Sequence, residues 1–248
     1  MALNETQLAN TKQFIGGSRA ASCLGLDPNK PAYESFLELT GQLAPVDLTG
    51  NEAVMMGELV EAAIAEGYTR KRGVKLRRVN QSLFHEKYPF IVAHPDRIAV
   101  GEKFGVEIKN RGQFREDEYG EDGTDQVLDV EFIQASVYMA VTKLPEWRVV
   151  VLFGGNHIRE FILKRDLPTE EQILSGLDEF WNEYVQKKVA PPLDYDHPKT
   201  LELLQRQNRD VRPVAVPAPA ALLPWCEVFE DAKASVKRFD AVADACKA

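Results

Sequence analysis

The chain has 248 residues, 44% hydrophobic and 27% charged, the proportions of an ordinary globule long enough for one good-sized domain with appendages. Its 30 Lys and Arg against 38 Asp and Glu leave a net charge of −8, which excludes a uniformly basic nucleic-acid coat but not a local basic channel. No apolar run approaches the roughly 20 residues that span a bilayer, the opening MALNETQLANTKQF lacks the charged-then-apolar order of a secretory leader, and Cys23, Cys226 and Cys246 form no CxxC pair, so no disulfide framework or zinc site is expected and a reducing cytoplasm is the default compartment.

Residues 5–13 suit a short helix. Gly16-Gly17 then reads as a turn, with Ser18 capping a short helix to Gly25. PAYESFLELT, 31–40, predicts a helix with Pro31 in its first turn and Gly41 beyond its end. Asn51 opens a longer helix in which Val54, Leu59, Ala62, Ala63 and Ile64 recur at helical spacing and Gly67 closes it. TRKRGVKLRR, 69–78, places Arg70, Lys71, Arg72, Lys75, Arg77 and Arg78 in ten positions. By itself such a run is either a solvated turn or a phosphate-binding patch.

The period then shortens. Strand segments are expected within 74–84, 89–93, 97–100 and 104–109, with Gly101-Glu102-Lys103 turning between the last two. The polar residues 110–128 predict a mobile loop, 130–144 a helix, and WRVVVLFGGNHIREFILKRD a hairpin about Gly154-Gly155-Asn156. A long helix over 168–189 is broken by Pro191-Pro192. Beyond 194 the composition shifts to one more helix, an extended Pro/Ala linker over about 211–220, and an amphipathic helical end. There Leu222, Leu223, Trp225, Val228 and Phe229 are apolar enough to pack on the domain, join subunits or dock a partner. The order α-α-β-β-β-β-α-β-β-α predicts an α/β core with a central mixed sheet flanked by helices, over residues 1–194, with 195–248 as an extension.

HPDRIAVGEKFGVEIKN, 94–110, carries the chemistry. Asp96 and Glu107 fall on strands joined by a tight turn, which sets paired positions side by side. Glu107 and Lys109 share one strand face, while Val106 and Ile108 point into apolar packing. Three charged groups thus converge at one edge of a sheet. Two carboxylates with a carbonyl oxygen suit a hard divalent cation such as magnesium. A nearby lysine can orient water or stabilise developing charge. The competing reading is an exposed hairpin with a surface Glu/Lys pair. His85, His94 and His157 show no metal-ligand spacing and read as sheet-edge or loop histidines.

The same stretch resembles the PD-(D/E)xK nucleases, with Pro95-Asp96 as the PD and Glu107-Ile108-Lys109 as the ExK. FIGGSRAASCLGLDPNKPAYESFLELTG, MGELVEAAIAE, QASVYMAVTKLPEWRVVVLFGGNHIREFILKRD and YVQKKVAPPLD follow in the order and spacing of the YqaJ-type viral recombinase nucleases, relatives of phage lambda exonuclease. The resemblance covers about residues 10–194. It implies a restriction-endonuclease-like α/β fold. It also implies magnesium, or manganese, as one or two ions held by Asp96, Glu107, the Ile108 carbonyl and Glu58, with Glu61 the competitor one turn on. Lys109 matches the catalytic lysine. Gln134 matches a glutamine bordering the site, and Tyr138, four residues on, either lines DNA or fills the core. Ser18 matches a phosphate-binding serine or is a plain cap. Where the related exonuclease has an arginine that grips a terminal 5′ phosphate this chain has Thr11-Lys12, and Lys12 or Arg19, the latter at a position often acidic in the family, would serve instead. The basic residues Arg70 to Arg77 would then hold backbone phosphates.

The activity implied is a magnesium-dependent exonuclease, 5′ to 3′ on linear duplex ends, in phage-type recombination. It would use a metal-activated water and hand single strands to an annealing protein. A ring-shaped oligomer, a trimer by resemblance, would reconcile the acidic net charge with a basic channel. The alternatives are an endonuclease or single-strand-preferring relative, and a non-catalytic DNA-end or protein-binding module that kept the fold.

Overall fold

The computed structural model describes residues 14–46, 48, 50–208 and 219–247. The helix expected over 5–13, Lys12 and most of the Pro/Ala linker lie outside the described residues. In chain order the elements are β1 (Ile15–Gly16), α1 (Gly17–Cys23), α2 (Ala32–Leu39), α3 (Glu52–Arg72), β2 (Leu76–Arg78), β3 (Leu83–Phe84), β4 (Ile91–Ala93), β5 (Arg97–Ala99), β6 (Phe104–Arg111), α4 (Asp129–Thr142), β7 (Glu146–Phe153), β8 (His157–Lys164), α5 (Leu167–Glu179), α6 (Thr200–Gln207) and α7 (Leu223–Lys247). A π-helical segment, Phe180–Gln186, prolongs α5. Among the described residues no helix is long and apolar enough to cross a membrane.

The strands form two mixed sheets where one was expected: five strands in the order β2-β5-β6-β7-β8, and three in the order β1-β4-β3. In the larger sheet only β6 and β7 are parallel, from Phe104 opposite Glu146 to Arg111 opposite Phe153. The side-chain alternation of β6 explains its central place. Val106 and Ile108 face α3, packing with Ile64, Ala65 and Tyr68. The opposite face packs on α4, where Ala135, Tyr138 and Met139 meet Trp147, Val149 and Val151. Gly105 sits on that second face because a Cβ there would lie 2.3 Å from the Trp147 ring. The far side of α4, with Ile133, Val137 and Ala140, joins a third cluster with α1, α2 and α5. Helix α4 is thus covered on both sides, which is why every residue from Ile133 to Ala140 is buried.

Several local expectations are corrected. Gly67 does not close α3; the helix runs on to Arg72 and stops at Gly73, in the left-handed conformation with φ 71°. Gly67 instead lets β8 approach, since a Cβ there would lie 2.9 Å from Ile158. Ser18 is not the cap of α1. Gly16 holds that position at the end of a strand paired to β4, and Gly17 is the first helical residue rather than part of a turn. Residues 110–128 are tied down. A 3₁₀ helix covers Gln113–Glu118, Tyr119 is buried, and Asp122 Oδ1 accepts the Glu160 N–H at 2.7 Å. The Gly123 N–H to Glu160 carbonyl and Ile162 N–H to Thr124 carbonyl bonds, both 2.8 Å, cover the outer edge of β8.

The chain divides into two compact units, residues 1–205 and 206–248. In the first, Leu203 of α6 belongs to the same core as α1 and α4. In the second, α7 exposes its large apolar side chains.

Candidate active site

Strands β5 and β6 pair antiparallel with Arg97 opposite Val106, so one further step along the ladder sets Asp96 beside Glu107. The pairing lies inside the five-stranded sheet, between β2 and β7, not at a sheet edge as the hairpin alone suggested. Asp96 Oδ2 accepts the Ile108 N–H at 2.8 Å, which fixes its carboxylate over β6. Glu107 is 5% exposed. Its Oε1 takes hydrogen bonds from Lys109 Nζ at 2.7 Å and from Gln134 Nε2 at 2.8 Å. Its Oε2 is buried with no hydrogen-bond partner among the described residues.

A chain of contacts orients these groups from α4. Gln134 Oε1 accepts from Lys109 Nζ at 3.1 Å, and Gln134 Nε2 also donates to the Tyr138 hydroxyl at 3.0 Å. That hydroxyl donates to the His94 carbonyl at 3.3 Å, two residues before Asp96. Tyr138 is buried against Trp147 and against Gly17, whose Cβ would fall 2.4 Å from the Tyr138 ring. Tyr138 is thus a core aromatic whose hydroxyl faces the site.

The electrostatics follow from burial. Desolvation first, then the Glu107 carboxylate, push Asp96 up to about 7 against the lowering effect of the Ile108 N–H. Burial works against the Lys109 ammonium, but Glu107 foremost, with Glu131 and Asp96, together more than reverse it, so Lys109 is held above its ordinary value and stays charged. Burial and Glu107 raise the Tyr138 hydroxyl, keeping it a donor. Two crowded carboxylates, one with an orphaned buried oxygen, describe a place short of positive charge. A divalent cation fits it, since magnesium is commonly held by one or two carboxylates plus water. Among the described residues no three His, Cys, Asp or Glu side chains gather closely enough to hold a metal by themselves. Remaining ligands would have to come from the backbone or from water.

A cavity opens over this point, lined by residues of α3 (Gly57, Glu58, Glu61) and of the strands (Asp96, Glu107 to Arg111), with a volume of about 530 Å³. Glu58 is exposed at its rim. Glu61 is buried, paired to Arg97 at 2.5 Å, with Arg78 at 3.6 Å, and its charge reaches Asp96. Ser18 is exposed in the first turn of α1, and Arg19 is engaged by Glu38 at 3.2 Å. The basic stretch is divided. Arg70 pairs with Glu66 at 2.7 Å, Arg72 with Asp122 and Glu160 at 2.8 Å each, and Lys71 donates to the Ile158 carbonyl at 2.5 Å. Lys75 and Arg77 stand exposed beside or on the edge strand β2.

Sequence reasoning missed Arg97, Arg111 and Glu131. Arg111 lines the cavity two residues past Lys109, its guanidinium bonded to Glu131 at 2.7 Å and to the Tyr119 hydroxyl at 3.2 Å. The alternation Glu107, Lys109, Arg111 on one strand face was the available signal. The buried Glu131, 1% exposed, looked like an ordinary first-turn helix acid.

Comparison with known proteins agrees with this architecture. Residues 8–145 match the YqaJ-like viral recombinase domain. The protein YqaJ of Bacillus subtilis (strain 168) is 34% identical over 190 residues, covering 75% of this chain and 58% of its own length, so the chain spans less than two thirds of that relative. An alkaline exonuclease from Laribacter hongkongensis superposes with a TM-score of 0.58 at 15% identity, over 82% of this chain and 97% of that one. Its complex with dAMP gives 0.60 at 16%, over 84% and 100%. A phage-related exonuclease from Haemophilus somnus 129PT gives 0.52 at 13%, over 71% and 96%. At such identities these likenesses are of fold, the restriction-endonuclease-like α/β core. With more than half of its length matched, the chain belongs to the family of YqaJ-like viral recombinase domains.

Proposed function

We propose that the chain is a divalent-metal-dependent DNA exonuclease that degrades linear duplex ends, 5′ to 3′, in phage-type recombination. The observation that carries this is the pair Asp96 and Glu107 around an unpartnered buried oxygen, with the Lys109 ammonium 2.7 Å from the same carboxylate. Family membership and the exonuclease activity named for two fold neighbours support it.

Asp96, Glu107 and the Ile108 carbonyl would hold magnesium or manganese, as one or two ions, with Glu58 contributing from the cavity rim. The bound ion supplies polarisation of the phosphodiester and a lowered pKa for water. Lys109, kept protonated by Glu107 and steadied by Gln134, places a positive charge where the phosphorane gains negative charge. Gln134 fixes the Glu107 rotamer, and Tyr138 fixes Gln134. Arg111 offers a second cation on the same strand face, aimed by Glu131 and Tyr119. Lys75, Arg77 and the exposed Ser18 are the proposed contacts to backbone phosphates, with Lys12 or Arg19 at a terminal phosphate. Such contacts are independent of sequence and sensitive to salt. A single-strand annealing protein is the proposed recipient of the product strand, in the cytoplasm of a bacterial host.

The test is release of acid-soluble nucleotide from linear duplex with magnesium, beside closed circular duplex and an Asp96→Asn control. Linear-specific, Asp96-dependent release is expected. Equal cutting of the closed circle would turn the reading to an endonuclease, and no Asp96-dependent release would remove the nuclease reading.

A further inference from the structure

Helix α7 is 25 residues long, about 37 Å at 1.5 Å per residue, and carries a repeat that the candidate active site does not use. Trp225, Phe229, Ala232, Val236, Phe239, Ala243 and Cys246 recur alternately four and three residues apart, the seam of a coiled coil. The seam is not buried: Trp225 is 72% exposed, Phe229 60%, Val236 60% and Phe239 74%. One flank is uncharged throughout, with Val228, Ser235 and Val242. The other begins at Cys226 and carries Lys233, Asp240 and Lys247, with Lys233 and Asp240 opposite charges one heptad apart. Within the helix Lys233 meets Glu230, at 3.6 Å and well exposed, and lies 5.2 Å from the centre of the Phe229 ring, contacts too weak to hold it from another partner.

This distribution selects an orientation. In a parallel pair each flank meets the opposite flank of its neighbour, so Lys233 would face Val228 and Asp240 would face Ser235, and neither charge would meet its opposite. In an antiparallel pair like flanks meet. The uncharged flank then closes on itself, with Ser235 beside Val242, and Lys233 reaches Asp240 of the second copy, twice by symmetry. The charges also select a register. With Val236 opposite Phe239 and Ala232 opposite Ala243, the two Lys–Asp pairs form. A slip of one heptad brings Lys233 against its own copy in one direction and Asp240 against its own copy in the other. We propose that α7 is a self-association helix that pairs antiparallel with α7 of a second copy of this chain. The inference stands apart from the nuclease reading and survives if that reading fails.

The chain contains its own reporters. Cys226 and Cys246 are exposed near opposite ends of α7, and Cys23 is buried in the first unit. In the proposed pair Cys226 lies close to Cys246 of the second copy. A bis-maleimide added to the full-length native protein should link Cys226 to Cys246 between chains. Sedimentation equilibrium should show association in twos, a dimer of chains or of rings, with that pairing step weakened at least tenfold by Lys233→Asp and restored by Lys233→Asp combined with Asp240→Lys. Circular dichroism of each variant separates lost pairing from lost helix. A monomer at every concentration tried, links joining Cys246 only to Cys246, or a charge swap that fails to restore association in a helical variant would each overturn the proposal.

Discussion

Lys109 is the side chain whose replacement separates the electrostatic account from a structural one. Lys109→Met keeps the length of the stem but removes the charge, and kcat should fall about 100- to 1000-fold, as for loss of one donor to a transition-state oxyanion. If the pair were only a strand-face salt bridge, the loss would appear in thermal stability with turnover unchanged. The two acids of α3 should also part company. Glu61→Gln leaves the buried Arg97 without its carboxylate, and Tm should drop by an amount equivalent to about 3 kcal/mol. Glu58→Gln, at the exposed rim, should leave Tm unchanged and raise the magnesium concentration needed for half-maximal rate. Differential scanning fluorimetry beside a magnesium titration reads both. Asp96, Glu107 and Lys109 were legible because their signal is local: a turn, a two-residue alternation and a motif. Arg97 and Glu131 were not, because a buried ion pair is written in two distant segments, and neither segment marks its partner. Gly105 belongs to the same class, since only the Trp147 ring across the sheet explains it.

The elements followed the same division between local and distant causes. Helices α2, α3 and α4 and the β7–β8 hairpin could be placed from caps, periodicity and Gly-Gly-Asn, all contained within a few residues. The end of α3 could not, because Gly67 looks like a stop and serves as a packing site against Ile158 of β8. Strand β1 escaped notice because two residues carry no period; its pairing to β4 makes it a strand. The segment 110–128 looked mobile by composition, yet Asp122 binds it to β8 and to Arg72. Asp122→Ala should therefore speed amide hydrogen exchange of β8 and cost about 1 kcal/mol, the value of one hydrogen bond to a charged acceptor discounted for exposure. Unchanged exchange at Glu160 would show that the edge is covered without this side chain. Thiol reactivity tests α1 and α7 together. Burial pushes Cys23 up to about 12, so under native conditions a maleimide should label Cys226 and Cys246 and spare Cys23.

For the whole molecule, the net charge of −8 and a DNA substrate are compatible only if cations concentrate where the backbone runs. Half of the basic stretch is already consumed by Glu66, Asp122 and Glu160, which leaves Lys75 and Arg77 on the β2 side as the available pair. Replacing both with alanine in an Asp96→Asn background should weaken duplex binding by fluorescence anisotropy and lower the salt slope by about two. The fold class and the family order of motifs were readable along about residues 10–194, because an α/β core repeats its hydrophobic pattern in every element. The division of strands into two sheets was not, since it depends on which strands find each other. The proposed activity rests on one inference, that Asp96 and Glu107 share a cation. Calorimetric titration of manganese into the wild-type chain and into Glu107→Gln, without DNA, tests it directly. Saturable heat in the wild type, weakened at least about 100-fold in the variant, is the predicted result. Equal heats in the two proteins, or none in either, would contradict it.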